Sequence, residues 1–327
     1  MKMQRYLGAA AVLLAGLIGT SAHAETNYPS QPIKLVVPFG PGGVTDLTGR
    51  TYAHHMSEVL NGTIVVENRA GAGATIGANH VAKAPADGYT MLLGTNVTHA
   101  INPQLMQSVP YDPLKDFQAI GLFGTNGNVL IVRDDFPANN FGEFIALMKE
   151  KKDEANYASG SVGSSAHLAA ELLKQEVEGL DYMHVPYGGP SEAMSALIGG
   201  HVDFSFANIG AAVSQIQSGR IKALAVTTSQ RVDSLPDVPT ISEAGVPGFE
   251  VIGWIAAFAP KGVSPEIIER LHAALEEAKN NPALQKTLDV AALVRPAATP
   301  EDVTKFVNAE YEKWGRVIRE GNIAPIN

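Results

Sequence analysis

Residues 28–50, YPSQPIKLVVPFGPGGVTDLTGR, read as strand, glycine turn and helix start. Pro32 to Val37 is a short apolar run of the kind a buried parallel strand uses. Gly40-Pro41-Gly42-Gly43 cannot continue that strand and supplies a tight turn. Thr45 and Asp46 are suitable N-cap residues for the helix that follows. A helix N-terminus on a glycine turn presents free backbone N–H groups and partial positive charge, so it attracts anions. No Lys or Arg lies between Gly40 and Gly49, so the attraction has to come from backbone dipoles.

The residues in front of this stretch set the compartment. Lys2 and Arg5 make a basic start, Leu7 to Gly19 is apolar, and Ala22-His23-Ala24 is an A-x-A cleavage pattern. The apolar run is short of the roughly 20 residues a membrane helix needs. Residues 1–24 therefore predict a cleaved signal peptide, a mature chain from Glu25 and a periplasmic location. Without residues 1–24 the chain has 22 Lys and Arg against 33 Asp and Glu, a net −11. That balance argues against nucleic acid and anionic membrane surfaces as partners. It does not forbid a small anion, because a pocket binds anions through local dipoles at any net charge. The chain has no Cys, which excludes disulfides and a lipid anchor on cysteine.

Outward from the opening stretch, β-rich runs alternate with helical ones, which predicts an α/β fold. Strands are expected over 34–38, 63–67, 90–94, 129–133, 156–159, 181–185, 204–207 and 223–227. Helices are expected over 45–60, 74–84, 140–152, 165–177, 190–199, 211–218, 265–280 and 300–320, the last two opening with Ser-Pro and Thr-Pro. Residues 236–248, rich in Asp, Pro and Gly, read as a long surface connection.

A second strand–turn–helix unit echoes the first. Ser159-Gly160-Ser161-Val162-Gly163-Ser164-Ser165-Ala166-His167 offers serine hydroxyls and no bulky side chain before its helix, with Ser164 or Ser165 able to cap. His167, in the first helical turn, can face a carboxylate or simply pack. Open α/β sheets bind ligands at the C-terminal edges of their strands, so two such edges predict a clamshell with one ligand between them.

Other motifs carry less. Gly71-Ala72-Gly73-Ala74-Thr75-Ile76-Gly77 departs from the G-x-G-x-x-G dinucleotide spacing and has no acid at a strand end about 20 residues on. No nucleophile-elbow, P-loop or H-E-x-x-H motif occurs, so no catalytic residue is nominated. His54 and His55 are adjacent, diverge by about 100° on a helix and are not expected to chelate together. No metal or cofactor is expected.

These residues together resemble the Bug-type extracytoplasmic solute-binding receptors of tripartite tricarboxylate transporters. The likeness runs through residues 28–50, then ENRAGAGATIGANHVAKAPADGYTMLLGT, PYDPLKDFQAIGLFG, YASGSVGSSAHLAAELL and VPYGGPSEAMSALIGGHVDFSF, and closes on GRIKALAVTTSQRVDSLPDVPTISEAGVPGFEVIGW. It implies a two-lobed periplasmic-binding-protein fold of type II-like form, with a ligand cleft between two open mixed sheets flanked by helices. Lobe 1 is then residues 25–125 plus 229–327 and lobe 2 residues 126–228. It implies capture of a small organic carboxylate, a dicarboxylate or an aromatic one, and delivery by a monomer to membrane permease subunits. Phe39, Gly43, Thr45 and Asp46 correspond to the first gripping loop, and Ser159, Ser161, Gly163, Ser164, Ser165 and His167 to the second. Thr95, Asn96, Tyr187 and Asn208 follow strands at the expected cleft edge. Asp46 would repel a carboxylate ligand directly, so it is expected to cap its helix or order a bridging water. No arginine clamp is evident in these loops, Arg69 being the nearest candidate. A sensory module feeding a receptor kinase would use the same clamshell, and an α/β enzyme would need a nucleophile, metal or nucleotide site.

Overall fold

The computed structural model describes residues 28–290 and 292–325, so the segment expected to direct export lies outside the described residues. The opening stretch folds as read: β1 (Ile33–Val37), a glycine turn, then α1 (Val44–Leu60). β1 lies between two parallel neighbours, β2 (Ile64–Asn68) and β3 (Thr90–Thr95), with α2 (Thr75–Ala82) joining them. The Gly71–Gly77 turn serves packing. A Cβ at Gly73 would lie 2.7 Å from the Asn102 amide nitrogen, and one at Gly77 would lie 2.9 Å from the backbone of Pro38 and Arg69.

After the short α3 (Asn102–Leu105) comes β4 (Phe117–Arg133), 17 residues long. Its residues 117–127 pair antiparallel with β9 (Ile252–Pro260), which also pairs β3. Its residues 128–133 pair antiparallel with β7 (Phe204–Asn208) on one side and β8 (Ile221–Val226) on the other. β7 continues into the parallel strands β5 (Asn156–Ser159) and β6 (Met183–Pro186). Among the described residues, β4 is thus the only strand common to both halves of the sheet. The sequence predicts only its second half. Gly121, Gly124 and Gly127 interrupt the apolar pattern, and two register shifts fall at the first two of them. A Cβ at Gly124 would sit 3.0 Å from the Val294 carbonyl, and one at Gly127 2.4 Å from the Thr228 methyl. These glycines mark bulges and close backbone approach, as strand glycines do.

Each half is covered on both faces. Along β4, Ile120 and Phe123 face one core and Phe117, Ala119 and Leu122 another. Past the midpoint, Leu130 and Val132 enter a third core and Val129 and Ile131 a fourth. In the second half α4 (Phe141–Lys151), α5 (Ser165–Glu176), α6 (Pro190–Ile198) and α7 (Ile209–Gln217) complete the crossovers. The first half is covered by α1, α8 (Pro265–Lys279) and α9 (Pro282–Val290), α9 being absent from the sequence reading. α8 and α10 (Pro300–Glu320) start as predicted, with Ser264 and Thr299 as N-caps and Pro at the first helical position. α10 runs across both halves. Val303 and Val307 join a core of the first, whereas Trp314, Val317 and Ile318 join a core of the second. Midway, buried Glu310 accepts from both Trp254 Nε1 (3.2 Å) and Trp314 Nε1 (3.0 Å) and pairs with Lys313.

The 236–248 segment is a connection without helix or strand, with Pro236, Asp237, Glu243, Gly245, Pro247 and Gly248 exposed, but it is not wholly on the surface: Thr240 and Ile241 are wholly buried and Val246 nearly so. Val226 N donates to the Pro239 carbonyl (2.8 Å) and Ile241 N to that of Val226 (2.9 Å), so the segment lies along β8. Its apolar residues outweigh the turn-forming ones around them.

Three chain segments meet at the middle of β4. Thr227 Oγ1 accepts from the Asn128 N–H (2.8 Å) and donates to the Val251 carbonyl (2.6 Å), with no exposed surface. Thr227→Val keeps the shape and strands both groups. We expect a loss of about 2 kcal/mol and a melting temperature lower by roughly 4–8 °C. An unchanged melting curve would rule out this knot as a source of stability.

Candidate functional site

The second loop and its surroundings enclose a cavity of about 140 Å³. It is lined by Asn128, Gly160, Ser161, Ser164, Ser165, Ala166, Pro190, Ala193, Met194, Ser205, Phe206, Ala207 and Asn208. No charged side chain lines it. Three helices begin here: α5, capped by Ser164; α6, with Pro190 as first residue; and α7, capped by Asn208. Each N-terminus carries a partial positive charge of roughly half an elementary charge on its free N–H groups. Three at one uncharged cavity suit a negative group.

The loop is held from behind. Ser159 is buried; its hydroxyl donates to the Ser161 carbonyl (2.9 Å) and lies 2.6 Å from His184 Nε2. Ser164 Oγ donates to that same carbonyl (2.8 Å) and accepts from His167 N (3.4 Å), which caps α5. The Gly163 N–H donates to His167 Nδ1 (3.0 Å), so that nitrogen is unprotonated. The His167 ring stacks on His184 at 4.0 Å, and His184 on Tyr157 at 4.9 Å. Burial, helped by His184, pushes the His167 pKa down to about 3, and burial takes His184 down to about 4. His167 is 4% exposed and does not line the cavity; here it packs and holds the loop.

Gly160 is fixed by contact. A Cβ there would lie 2.7 Å from Pro190 N and 3.0 Å from the Gly189 carbonyl carbon, both backbone atoms at the start of α6. Gly160→Ala has to displace that helix start, which lines the cavity through Pro190. We expect affinity for the bound anion to fall on the order of tenfold or more, because an ångström of misplacement at a built site has that scale. Isothermal titration against the wild type measures it, and equal affinities would refute it.

Of the residues nominated from sequence, the cavity brings together Ser161, Ser164, Ser165 and Asn208. Ser159, Gly163 and His167 stand behind it. Tyr187 packs against the core containing Val129 and Leu197. Thr95 is 5% exposed with its hydroxyl unpartnered, and Asn96 is half-buried at the end of β3. Phe39, Gly43, Thr45 and Asp46 do not line this cavity. Their loop is open: a Cβ on Gly40, Gly42 or Gly43 would meet nothing within 4 Å.

The first loop also corrects the capping assignment. Gly43 is the N-cap of α1 and no side chain caps it. Asp46 lies in the third helical position and reaches back. Its carboxylate accepts from Gly42 N (2.9 Å), Arg50 Nε (3.0 Å) and Asn68 Nδ2 (2.8 Å), and Asn68 also donates to the Phe39 carbonyl. Burial alone would raise the Asp46 pKa; the bonds from Arg50, Gly42 and Asn68 outweigh it and hold the group below the usual carboxylate value. Arg69 pairs with Glu67 at the end of β2. Sequence reasoning missed Asn128, Met194, Ser205 and Phe206, which line the cavity from β4, α6 and β7, and His184, which supports it from β6.

The histidine pair lies closer to a shared partner than adjacency on a helix suggests. One ring nitrogen of His54, one of His55 and one Glu58 carboxylate oxygen all lie within 4.8 Å of one another. Adjacent helical side chains do leave in different directions, but both rings bend toward Glu58, one turn on, with centroids 4.8 Å apart.

A chain with this two-part sheet and an uncharged cavity at converging helix starts has the form of a solute-binding receptor. Residues 48–323 match the family described as "Tripartite tricarboxylate transporter family receptor". BugT of Bordetella pertussis is 35% identical over 98% of each chain. Among solved structures, Rpa4515 of R. palustris with adipate superposes with a TM-score of 0.75 at 33% identity, covering 92% of this chain and 100% of that one. MatC of Rhodopseudomonas palustris with bound malate gives 0.70 at 33%, covering 89% and 100%. The chain belongs to the tripartite tricarboxylate transporter receptor family, whose members include the Bug-type binding proteins.

Proposed function

We propose that this protein captures a small organic dicarboxylate outside the cytoplasm and delivers it to the permease of a tripartite tricarboxylate transporter. The observation that carries the reading is the uncharged cavity where three helices begin, which suits one carboxylate group. Adipate and malate, held by two structural relatives, favour a dicarboxylate over an aromatic acid. In this reading residues 1–24 are removed on export, lobe 1 comprises 25–125 and 229–327, and lobe 2 comprises 126–228. The ligand's first carboxylate sits on Ser161, Ser164, Ser165 and Asn208. The open loop with Phe39, Gly43, Thr45 and Asp46 closes over it, and Asn128, Thr95, Asn96 and Tyr187 border the cleft. Asp46 acts as the organiser of that loop. The protein works as a monomer without metal or cofactor at this site, binding and releasing its ligand unchanged.

Thermal unfolding of the mature protein against succinate, malate, adipate, citrate, glutamate and benzoate tests this. A ligand at about 100 times its dissociation constant adds roughly 2.7 kcal/mol, enough for a rise of several degrees. A dicarboxylate hit supports the reading. A flat panel on protein freed of ligand would refute carboxylate capture, and a hit with benzoate alone would refute the dicarboxylate assignment.

A further inference from the structure

We propose that His54, His55 and Glu58 on α1 form a binding site for a divalent transition-metal ion, with Zn(II) as its simplest occupant. Two imidazole nitrogens and a carboxylate are the donor set that suits zinc and its late first-row neighbours, and disfavours Mg and Ca. The donors are nearly assembled: His55 Nδ1 is 3.0 Å from one Glu58 carboxylate oxygen and His54 Nε2 is 3.6 Å from the other. Ligand atoms about 2.0–2.1 Å from a tetrahedral ion stand roughly 3.3 Å apart, so closing the set from 4.8 Å takes little more than rotamer adjustment.

The side chains divide the work. That of His55 is 11% exposed and held by its surroundings, whereas those of His54 and Glu58, at 69% and 58%, are free to close on the ion. The ion would displace the hydrogen bond between His55 Nδ1 and Glu58, leaving the neutral ring protonated on Nε2. The site also lies toward the C-terminal end of α1, where the helix dipole favours a cation, and the last turn carries no basic residue. Three protein ligands leave a fourth position open to water on the exposed side. The site shares no residue with the serine-lined cavity, so its test stands apart from that of carboxylate capture.

Zinc titration of metal-stripped mature protein carrying no histidine tag decides the matter. We expect one equivalent of Zn(II) to bind, with affinity reduced at least about tenfold in His54→Ala and again in Glu58→Gln. Both replaced side chains are exposed, and equal melting temperatures without metal would confirm that the variants fold. No uptake by the wild type at about 100 μM zinc, or uptake unchanged in both variants, overturns the proposal.

Discussion

Ser164→Asp is expected to lose carboxylate capture while keeping its fold. Asp caps a helix as well as Ser does, so α5 keeps its start and its bond from the His167 N–H, and only the hydroxyl's donation to the Ser161 carbonyl is lost, a loss Ser164→Ala shares. The replacement also sets a negative charge in a cavity whose lining is otherwise apolar side chains, hydroxyls, amides and helix starts. Two like charges about 5 Å apart at an effective dielectric of 20 repel by roughly 3 kcal/mol, a loss of affinity on the order of a hundredfold. Ser164→Ala separates the two effects. It removes the cap, costs about 1 kcal/mol of stability and introduces no charge, so its affinity should fall far less. Calorimetric titration with the best dicarboxylate from the panel gives both numbers. Retained affinity in Ser164→Asp would remove this cavity from the proposed site.

A steep loss of stability between pH 6.5 and pH 5 is the second large effect. His99 is wholly buried and its pKa is pushed down to about 3 by burial; His167 is 4% exposed and reaches a similar value. Both rings are neutral in the folded protein throughout this range. In the unfolded chain they titrate near 6.5, so as pH falls the unfolded state binds protons that the folded state refuses. The penalty is absent well above pH 6.5 and grows by about 1.4 kcal/mol per unit for each ring below it, reaching roughly 4 kcal/mol for the pair at pH 5. A melting temperature lower by about 8–16 °C than at pH 8 follows. His99→Phe should remove about 2 kcal/mol of the loss at pH 5, leaving the shares of His167 and of His184, which burial holds near 4. The His99 ring stacks on Phe258 at 4.0 Å, its Nε2 has no partner, and the Thr98 hydroxyl it touches also bonds to Thr95. A flat profile from pH 8 to pH 5 would show that these rings do not govern acid stability.

What could be read from the chain divides along physical lines. Elements bounded by strong local chemistry were legible: β1 with its glycine turn, and the Ser264 and Thr299 caps of α8 and α10. β9, apolar from Trp254 to Ala259 between Gly253 and Pro260, is absent from the sequence reading although that run has the length of a buried strand. The first half of β4 was hidden by glycines whose purpose is contact with residues far along the chain. The same applies to the site. Serines at a helix start announce themselves, but Asn128, Ser205 and Met194 acquire meaning only when β4, β7 and α6 converge. Asp46 and the histidine pair show another limit. Helical position gives the direction in which a side chain leaves the backbone, not the partner it bends toward.

α10 sets a bound on movement. A helix of 21 residues is a rod about 31 Å long. Its front is anchored in the first half by Val303 and Val307, its rear in the second by Trp314 and Val317, and Glu310 bolts Trp254 to Trp314 between them. Swinging one half away from the other must either bend the rod or strip Trp314 out of its socket. If the two halves move as the proposed lobes, this geometry is a travel stop: the widest opening is set by the Trp314 anchor of α10 as well as by the connecting strands. In the proposed reading, such a restraint would keep the two loops within reach of each other before a solute arrives.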